Sequence, residues 1–245
     1  MRWFRADLHI HSVLSPCGGL EMAPHDLVKR LQECKIDWFA ITDHNTMANC
    51  PAYAAVAKDA GLFFSWGVEI QTSEEIHLLA YFDSPSQAQE FDTKLYNSLL
   101  PLENDAEYFG DQVVIDENEN ILRVEQRALI NSSLWDLSQT AKTIMAYGGF
   151  AVPAHIDAGV NSIISQLGFM PEEPAFELFG VTAGLDMQDW RVRQPYFTKR
   201  SLIKASDAHY LADIGSGYSE LYLAEASVAE LQKAALGADG RHIKN

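Results

Sequence analysis

The sequence predicts a mostly parallel α/β fold. Short apolar strands alternate with amphipathic stretches along most of the chain, the pattern of a sheet covered by helices. Seven candidate barrel strands remain once a hairpin in the middle is set aside. Histidines and carboxylates recur near the ends of those strands, where a parallel barrel gathers its functional residues on one face.

The first strand runs from Trp3 to His9. Pro24 to Cys34 reads as a helix with Leu27, Val28 and Leu31 inward. A strand from Ile36 to Thr42 follows, and a helix from about Pro51 to Ala60 stops at Gly61, a residue suited to cap it. Strands Leu62 to Glu69 and Ile76 to Phe82 come next, then a helix from Ser84 to Leu100. The middle changes character. Glu103 to Asp111 is acidic and irregular, while Gln112 to Asp116 and Ile121 to Gln126 read as strands about the polar turn Glu117 to Asn120. This insertion, at about residues 101–130, reads as a surface embellishment, with a substrate-facing lid as the alternative.

Helical periodicity returns at Leu134, Leu137, Ala141, Ile144 and Met145 and is closed by Gly148-Gly149. Strands at Phe150 to Ala154, Ala175 to Thr182 and Ser201 to Ser206 follow. Ser219 to Leu223 is a further extended piece before a helix capped by Ser227 and ended by Gly237. A single domain over residues 1–245 accommodates all of these elements.

The chain has 245 residues, 47% hydrophobic, enough to fold around a substantial core. It has no apolar run long enough for a transmembrane helix, and polar residues in Met1-Arg2-Trp3-Phe4-Arg5-Ala6-Asp7 argue against a signal peptide. A cytoplasmic protein is expected. With 18 Lys plus Arg against 34 Asp plus Glu, the net charge of −16 repels nucleic acid and anionic membranes at long range. Bound cations would reverse that sign inside a pocket. Cys17, Cys34 and Cys50 are odd in number and widely spaced, which fits a reducing compartment rather than a disulfide framework.

Six of the eight histidines, His9, His11, His44, His77, His155 and His209, lie on or just beyond expected strands, and five of these sit near strand C-terminal ends. The strings are Asp7-Leu8-His9-Ile10-His11, Thr42-Asp43-His44-Asn45, Gly67-Val68-Glu69, Pro153-Ala154-His155-Ile156-Asp157 and Ser206-Asp207-Ala208-His209. Residues two apart on a strand share a face, so His9 and His11 can reach one ion, as can Asp207 and His209. Imidazole suits zinc and iron, and carboxylate also suits manganese. One ion takes about four to six ligands, so this many donors points to a cluster of ions.

His77 falls early in its strand, and a tight turn at Ser73-Glu74-Glu75 would set it beside Glu69. Glu74 and Glu75 read as solvated turn residues, while His25 and His242 read as structural. Asp7 and Asp43 are expected to orient histidines rather than bind metal directly. Cys17 reads equally as a small buried residue or a thiolate ligand.

Taken together and in order, these strings resemble those of the polymerase and histidinol phosphatase (PHP) family of metal-dependent phosphoesterases. The resemblance runs from Asp7-Leu8-His9-Ile10-His11 to Ser206-Asp207-Ala208-His209 and includes Ser73-Glu74-Glu75-Ile76-His77-Leu78-Leu79. It implies a distorted, TIM-like seven-stranded (β/α) barrel with a trinuclear metal site of zinc, iron or manganese, two or three of whose positions are filled. By this analogy His9 and His11 share one ion with Glu69 and Asp207, Glu69 bridges to a second held by His77 and His155, and His44 and His209 hold a third. Relatives take a further Asp or His from the loop after the first His-x-His. Here that loop, Ser12-Val13-Leu14-Ser15-Pro16-Cys17-Gly18-Gly19, offers Cys17, with Glu21 more distant.

The expected reaction is hydrolysis of a small-molecule phosphomonoester or phosphodiester by a metal-bound hydroxide near Glu69, with Asp207, His209 or water delivering a proton. Arg127, Arg191, Arg193 and Lys204 read as surface charges that could assist phosphate binding. One alternative is 3′–5′ exonuclease-like cleavage of single-stranded nucleic acid. No basic run supports it, and Trp135 and Trp190 read as core or rim residues. Another is an inactive metal-binding scaffold, which the nearly complete donor set opposes.

Overall fold

The structure is a computed structural model that describes residues 1–244. The first half contains β1 (Arg2–Ile10), α1 (Pro24–Glu33), β2 (Trp38–Ile41), α2 (Cys50–Ala60), β3 (Phe63–Gln71), β4 (His77–Phe82) and α3 (Pro85–Tyr96). The insertion contributes α4 (Ala106–Phe109), β5 (Val113–Ile115) and β6 (Ile121–Val124). Then come α5 (Leu137–Ala146), β7 (Phe150–Pro153), α6 (Ile163–Leu167), β8 (Leu178–Val181) and α7 (Met187–Arg193). The chain closes with β9 (Ser201–Lys204), β10 (Ser219–Leu223), α8 (Val228–Ala235) and β11 (His242–Ile243).

Among the described residues one sheet has seven strands in the order β11-β10-β1-β2-β3-β4-β7, and β8 pairs with β9 separately. The expectation of a mostly parallel sheet is corrected here. Only β1–β2, β2–β3 and β8–β9 are parallel. The pairs β3–β4, β4–β7, β1–β10 and β10–β11 are antiparallel. The turn between β3 and β4 explains the first of these, since a parallel return needs a crossover of a dozen or more residues. That turn is closed by Thr72 N–H donating to Ile76 O at 2.9 Å. The β8–β9 pair links the ends of the curled sheet. Ile156 N donates to Gly180 O at 2.9 Å, and Ser219 Oγ lies 2.8 Å from Lys204 N and 3.0 Å from Lys204 O.

Alternation along the strands splits the core into two layers. Phe39, Ile41, Val68, Ile70, Leu78 and Phe82 face outward, under α1, α2, α3 and α5. Phe4, Leu8, Trp38, Leu79, Tyr81, Val152 and Ile203 face inward, against Val228, Leu231 and Ala234 of α8. Leu231 is fully buried, worth roughly 1.5–3 kcal/mol. Asp83 fastens α8 at the end of the sheet away from Glu69, accepting from Val228 N at 2.7 Å and Ala229 N at 3.0 Å. Ser201 Oγ donates to Ala235 O at 2.6 Å. One end of the inner layer is therefore sealed.

Several boundaries differ from expectation. The third helix stops at Tyr96 rather than Leu100, because Asn97 and Ser98 side chains donate to Thr93 O and Leu95 O. The helix expected around Leu134 begins at Leu137, where Asp136 and Glu74 both accept backbone N–H groups. Leu134 is consequently exposed, Met145 lies on the solvent face of the helix, and Glu74 is a cap rather than a solvated turn residue. The hairpin is present, with β5 buried and β6 facing solvent. Asn49 holds β5, donating to Val113 O and accepting from Ile115 N.

Candidate metal centre

The strand ends deliver their donors to one point. His9 lies on β1, and His11 follows it. Beyond β2, His44 forms a parallel bridge with Glu69 of β3, with Glu69 N donating to Asp43 O at 3.1 Å and Asn45 N to Glu69 O at 2.9 Å. The Thr72–Ile76 turn sets His77 beside Glu69, with Nδ1 to Oε1 at 2.9 Å. His155 and Asp207, just past β7 and β9, have φ values of 26° and 52°. Such conformations are costly for residues other than glycine, and they concentrate where a side chain must be aimed.

Glu69 is the hub. Its oxygens lie 3.2 Å from His9 Nε2, 3.4 Å from His11 Nε2, 3.3 Å from His44 Nδ1, 2.9 Å from His77 Nδ1 and 3.0 Å from His155 Nε2. Asp207 Oδ1 lies 3.2 Å from His9 Nε2 and 3.3 Å from His11 Nε2, and those two nitrogens are 3.3 Å apart. Several of these approaches are too poorly aligned to be hydrogen bonds. His44 Nδ1, His155 Nδ1 and Asp207 Oδ1 are buried without a hydrogen-bond partner. Two ligands about 2.0–2.1 Å from a tetrahedral ion lie about 3.3 Å apart, which is the spacing found here. Hydrogen-bonded packing leaves few such orphans. Shared cations would satisfy them, so these residues fit a metal group, and His9, His11 and Glu69, or His44, Glu69 and His77, could each hold an ion.

Electrostatics point the same way. Burial pushes the Glu69 carboxyl up, but the imidazoles of His77, His9, His11 and His155 outweigh it and hold it well below the usual range. Burial likewise opposes ionisation of Asp207, and His9 and His11 bring it down. Burial also lowers His209 to about 4, reinforced by His11. Both carboxylates are thus ionised, as a cation site requires.

Outer contacts fix the rings. Ser15 Oγ donates to Asp43 Oδ1 at 2.9 Å, so it accepts from His11 Nδ1–H at 2.8 Å and turns the Nε2 lone pair inward. Asp43 also accepts from Ser12 N and Ser12 Oγ, both at 2.6 Å. Asp7 accepts from Ser206 N at 3.0 Å, tying the Asp207–His209 segment to β1 through the backbone rather than through a ring. His77 Nε2 is flanked by Gln71 Oε1 at 3.2 Å and the Asn161 amide at 3.0 Å. Ser15, Gln71 and Asn161 escaped the sequence reading. Gln71 had a signal, because it lies two residues beyond Glu69 on the same strand face.

The donors open onto a cavity of about 230 Å³ lined by His44, Glu69, His77, His155, Asp207 and His209, with Val160, Asn161 and Thr182 on its walls. The insertion does not line it, so the lid alternative has no support, while the loop after Gly159 does contribute. No Lys or Arg lines it either. Arg127 donates to Tyr96 O, Arg193 pairs with Asp189, and Lys204 Nζ reaches Ala183 O at 3.2 Å. Trp135 and Trp190 are buried. His25 bonds Glu117 O, and His242 lies among Trp3 and Tyr222, both away from the cluster.

A curled α/β sheet whose strand ends gather histidines and acidic residues defines the class, a fold with a cluster of side chains that could hold metal. A family model described as PHP domain matches residues 7–157, and the chain belongs to that family. Among solved structures, the lesion-specific endonuclease Q of Pyrococcus furiosus matches with a TM-score of 0.74 at 16% identity. That match covers 98% of this chain and 57% of the endonuclease, so the chain spans little more than half its length. An endonuclease Q complex with a 27-mer duplex bearing an abasic lesion at the active site matches with a TM-score of 0.72 at 15% identity, covering 98% and 58%. A Bifidobacterium adolescentis protein assigned by inference as a metal-dependent phosphoesterase gives 0.59 at 19% identity, covering 83% and 87%. These likenesses show the fold. A search of curated proteins returns no match. No described helix is long and apolar enough to cross a membrane.

Proposed function

We propose that the chain is a metal-dependent phosphoesterase, built as one distorted (β/α) barrel domain, that hydrolyses a phosphomonoester or phosphodiester at this cluster. One observation supports it above the rest: a single buried carboxylate, Glu69, lies within 3.4 Å of five imidazoles. In this reading His9, His11, Glu69 and Asp207 hold one ion, Glu69, His77 and His155 a second, and His44 and His209 serve a third. Zinc, iron or manganese held there would polarise phosphoryl oxygens and ease ionisation of water near neutral pH.

The chain's own residues do the remaining work. Glu69 stays ionised among its imidazoles and presents both oxygens to the cluster. Asp207 and His209 are 35% and 25% exposed at the side chain, so they reach the open side; with Asp207 held ionised and His209 neutral, water there supplies the proton to the leaving oxygen. Ala158, Val160 and Thr182 wall the pocket and restrict water. The test is metal analysis with hydrolysis of p-nitrophenyl phosphate and bis(p-nitrophenyl) phosphate. Two or three equivalents of metal and turnover are expected, both falling in Glu69→Gln. Full activity in that variant overturns the reading.

A second reading, cleavage of a nucleic-acid phosphodiester, is favoured by the likeness to endonuclease Q and opposed by a mouth without Lys or Arg. Salt-sensitive binding and cutting of an abasic duplex or a single strand would select it.

A further inference from the structure

The loop after His11 brings a sulfur to the edge of the cluster. Ser15 N donates to Ser12 O, Gly18 N to Ser15 O at 2.8 Å, and Gly19 N to His209 O at 2.8 Å. A Cβ at Gly18 would lie 2.3 Å from Ser12 O, so the turn admits no side chain there. Half-buried Cys17 is thereby held against the Asp207–His209 segment. Cys17 Sγ and one ring nitrogen from each of His11, His44 and His209 lie within 4.8 Å of one another.

Hydrogen bonds decide which nitrogens are free. His209 Nδ1 donates to Asp207 O at 2.8 Å, leaving Nε2. His11 Nε2 faces Asp207 and Glu69 at 3.3 Å and 3.4 Å and in the proposed assignment serves their ion. His44 Nδ1, on a residue only 5% exposed, has no hydrogen-bond partner. A sulfur, an imidazole that carries an unpartnered buried nitrogen and a second imidazole lone pair form a donor set suited to a cation.

We propose that Cys17, with His44 and His209, makes one corner of this centre a thiolate site that selects thiophilic cations, zinc, ferrous iron or cadmium, over manganese and magnesium. The inference rests on the reading of the cluster as a metal centre and deepens it. The other corners mix imidazole, which suits zinc and iron, with carboxylate, which also accepts manganese, so the sulfur is the softest donor of the set. Three protein donors also leave a position open towards the cavity, the arrangement of catalytic rather than closed structural sites.

The experiment is anaerobic cobalt(II) titration of the reduced full chain, read by absorption. The sulfur-to-cobalt charge-transfer band is expected in the unaltered protein and in Cys34→Ser, and is lost in Cys17→Ser. Cys17→Asp should shift the cadmium-over-manganese preference by roughly 10-fold or more, the lower bound even for loss of a residue that only supports a ligand. X-ray absorption at the zinc edge of the unaltered protein should show one sulfur scatterer at about 2.3 Å, a readout independent of whether a variant folds. Cobalt that loads without the band, or a band that survives Cys17→Ser, overturns the thiolate site and leaves the phosphoesterase reading standing. Failure of cobalt to bind at all overturns both.

Discussion

Asn45 is the place where stability and the centre can be perturbed through one side chain. Its Nδ2 donates to Leu129 O at 2.9 Å and Asn131 O at 2.8 Å, and its Oδ1 accepts from Gln71 N at 3.1 Å. It is fully buried at φ 56°, a conformation that Asn tolerates and Ala does not. Asn45→Ala removes three hydrogen bonds at roughly 1 kcal/mol each and adds about 1 kcal/mol of backbone strain, so a loss of about 3–4 kcal/mol is expected. For a domain of this size that lowers Tm by roughly 6–16 °C. Asn45→Gly relieves the strain and should lose less. Asn45→Asp keeps the bond from Gln71 but sets an oxygen against two carbonyls, so at pH 7 it should be the least stable of the three. Acidification should narrow the Asp deficit, because the protonated acid can donate again and the folded state then binds the extra proton. Urea unfolding of the metal-free protein at pH 5 and pH 8 measures all of this. An Asp variant as stable as the Ala variant at pH 7 would refute the assigned donor roles of the amide.

Other outcomes follow from separate features. Glu230, held to about 2 by Arg241 and Lys233, should contribute stability fully above about pH 4.5 and lose it as pH falls towards 2; Glu230→Gln should therefore be less stable at pH 7 and match the parent near pH 2 in urea melts. Burial raises Asp92 to about 6, so its ionisation opposes folding increasingly from about pH 4 to above pH 6. Asp92→Asn, which still accepts from Met47 N, should gain up to about 3 kcal/mol over the parent across that window, and a pH-independent difference would contradict it. At Gly217 a Cβ would lie 2.3 Å from Ala205 O, so Gly217→Ala should cost about 1–3 kcal/mol and reduce zinc uptake through the neighbouring Asp207. Zinc at 100 times its dissociation constant should add about 2.7 kcal/mol, and an unchanged Tm between chelated and zinc-loaded protein would count against the centre.

The His9 and His11 pair was legible in the sequence because strand alternation carries direction, so the two share a face wherever the strand goes, whereas Gln71 escaped the reading although it shares a face with Glu69 for the same reason. The turn at Ser73-Glu74-Glu75 made a place for His77 beside Glu69 readable without compelling it, since antiparallel and bent segments were both open, and the pairing is antiparallel. Strand direction elsewhere was not readable. The alternation in Phe150–Pro153 or Ser219–Leu223 reads the same for either direction of pairing, and the antiparallel partners are set by tertiary packing. The apolar face of α8 was readable, but not the surface it covers. Leu134 matched a helical period yet precedes the cap at Asp136, showing that period alone does not locate a helix start. Asp and His are enriched at positive φ, but most residues of either type are not there, so residue type alone did not single out His155 and Asp207.

The antiparallel meeting of β1 with β10, which sets Ala6 opposite Ser219, bears on how the molecule is born. During synthesis the opening strand leaves the ribosome long before its antiparallel partner exists, and Phe4, Leu8 and Trp38 lack their α8 cover until that helix arrives. Nascent chains arrested short of that helix should therefore be sticky clients of holdase chaperones, and completion should come late and slowly, as nonlocal pairings dictate.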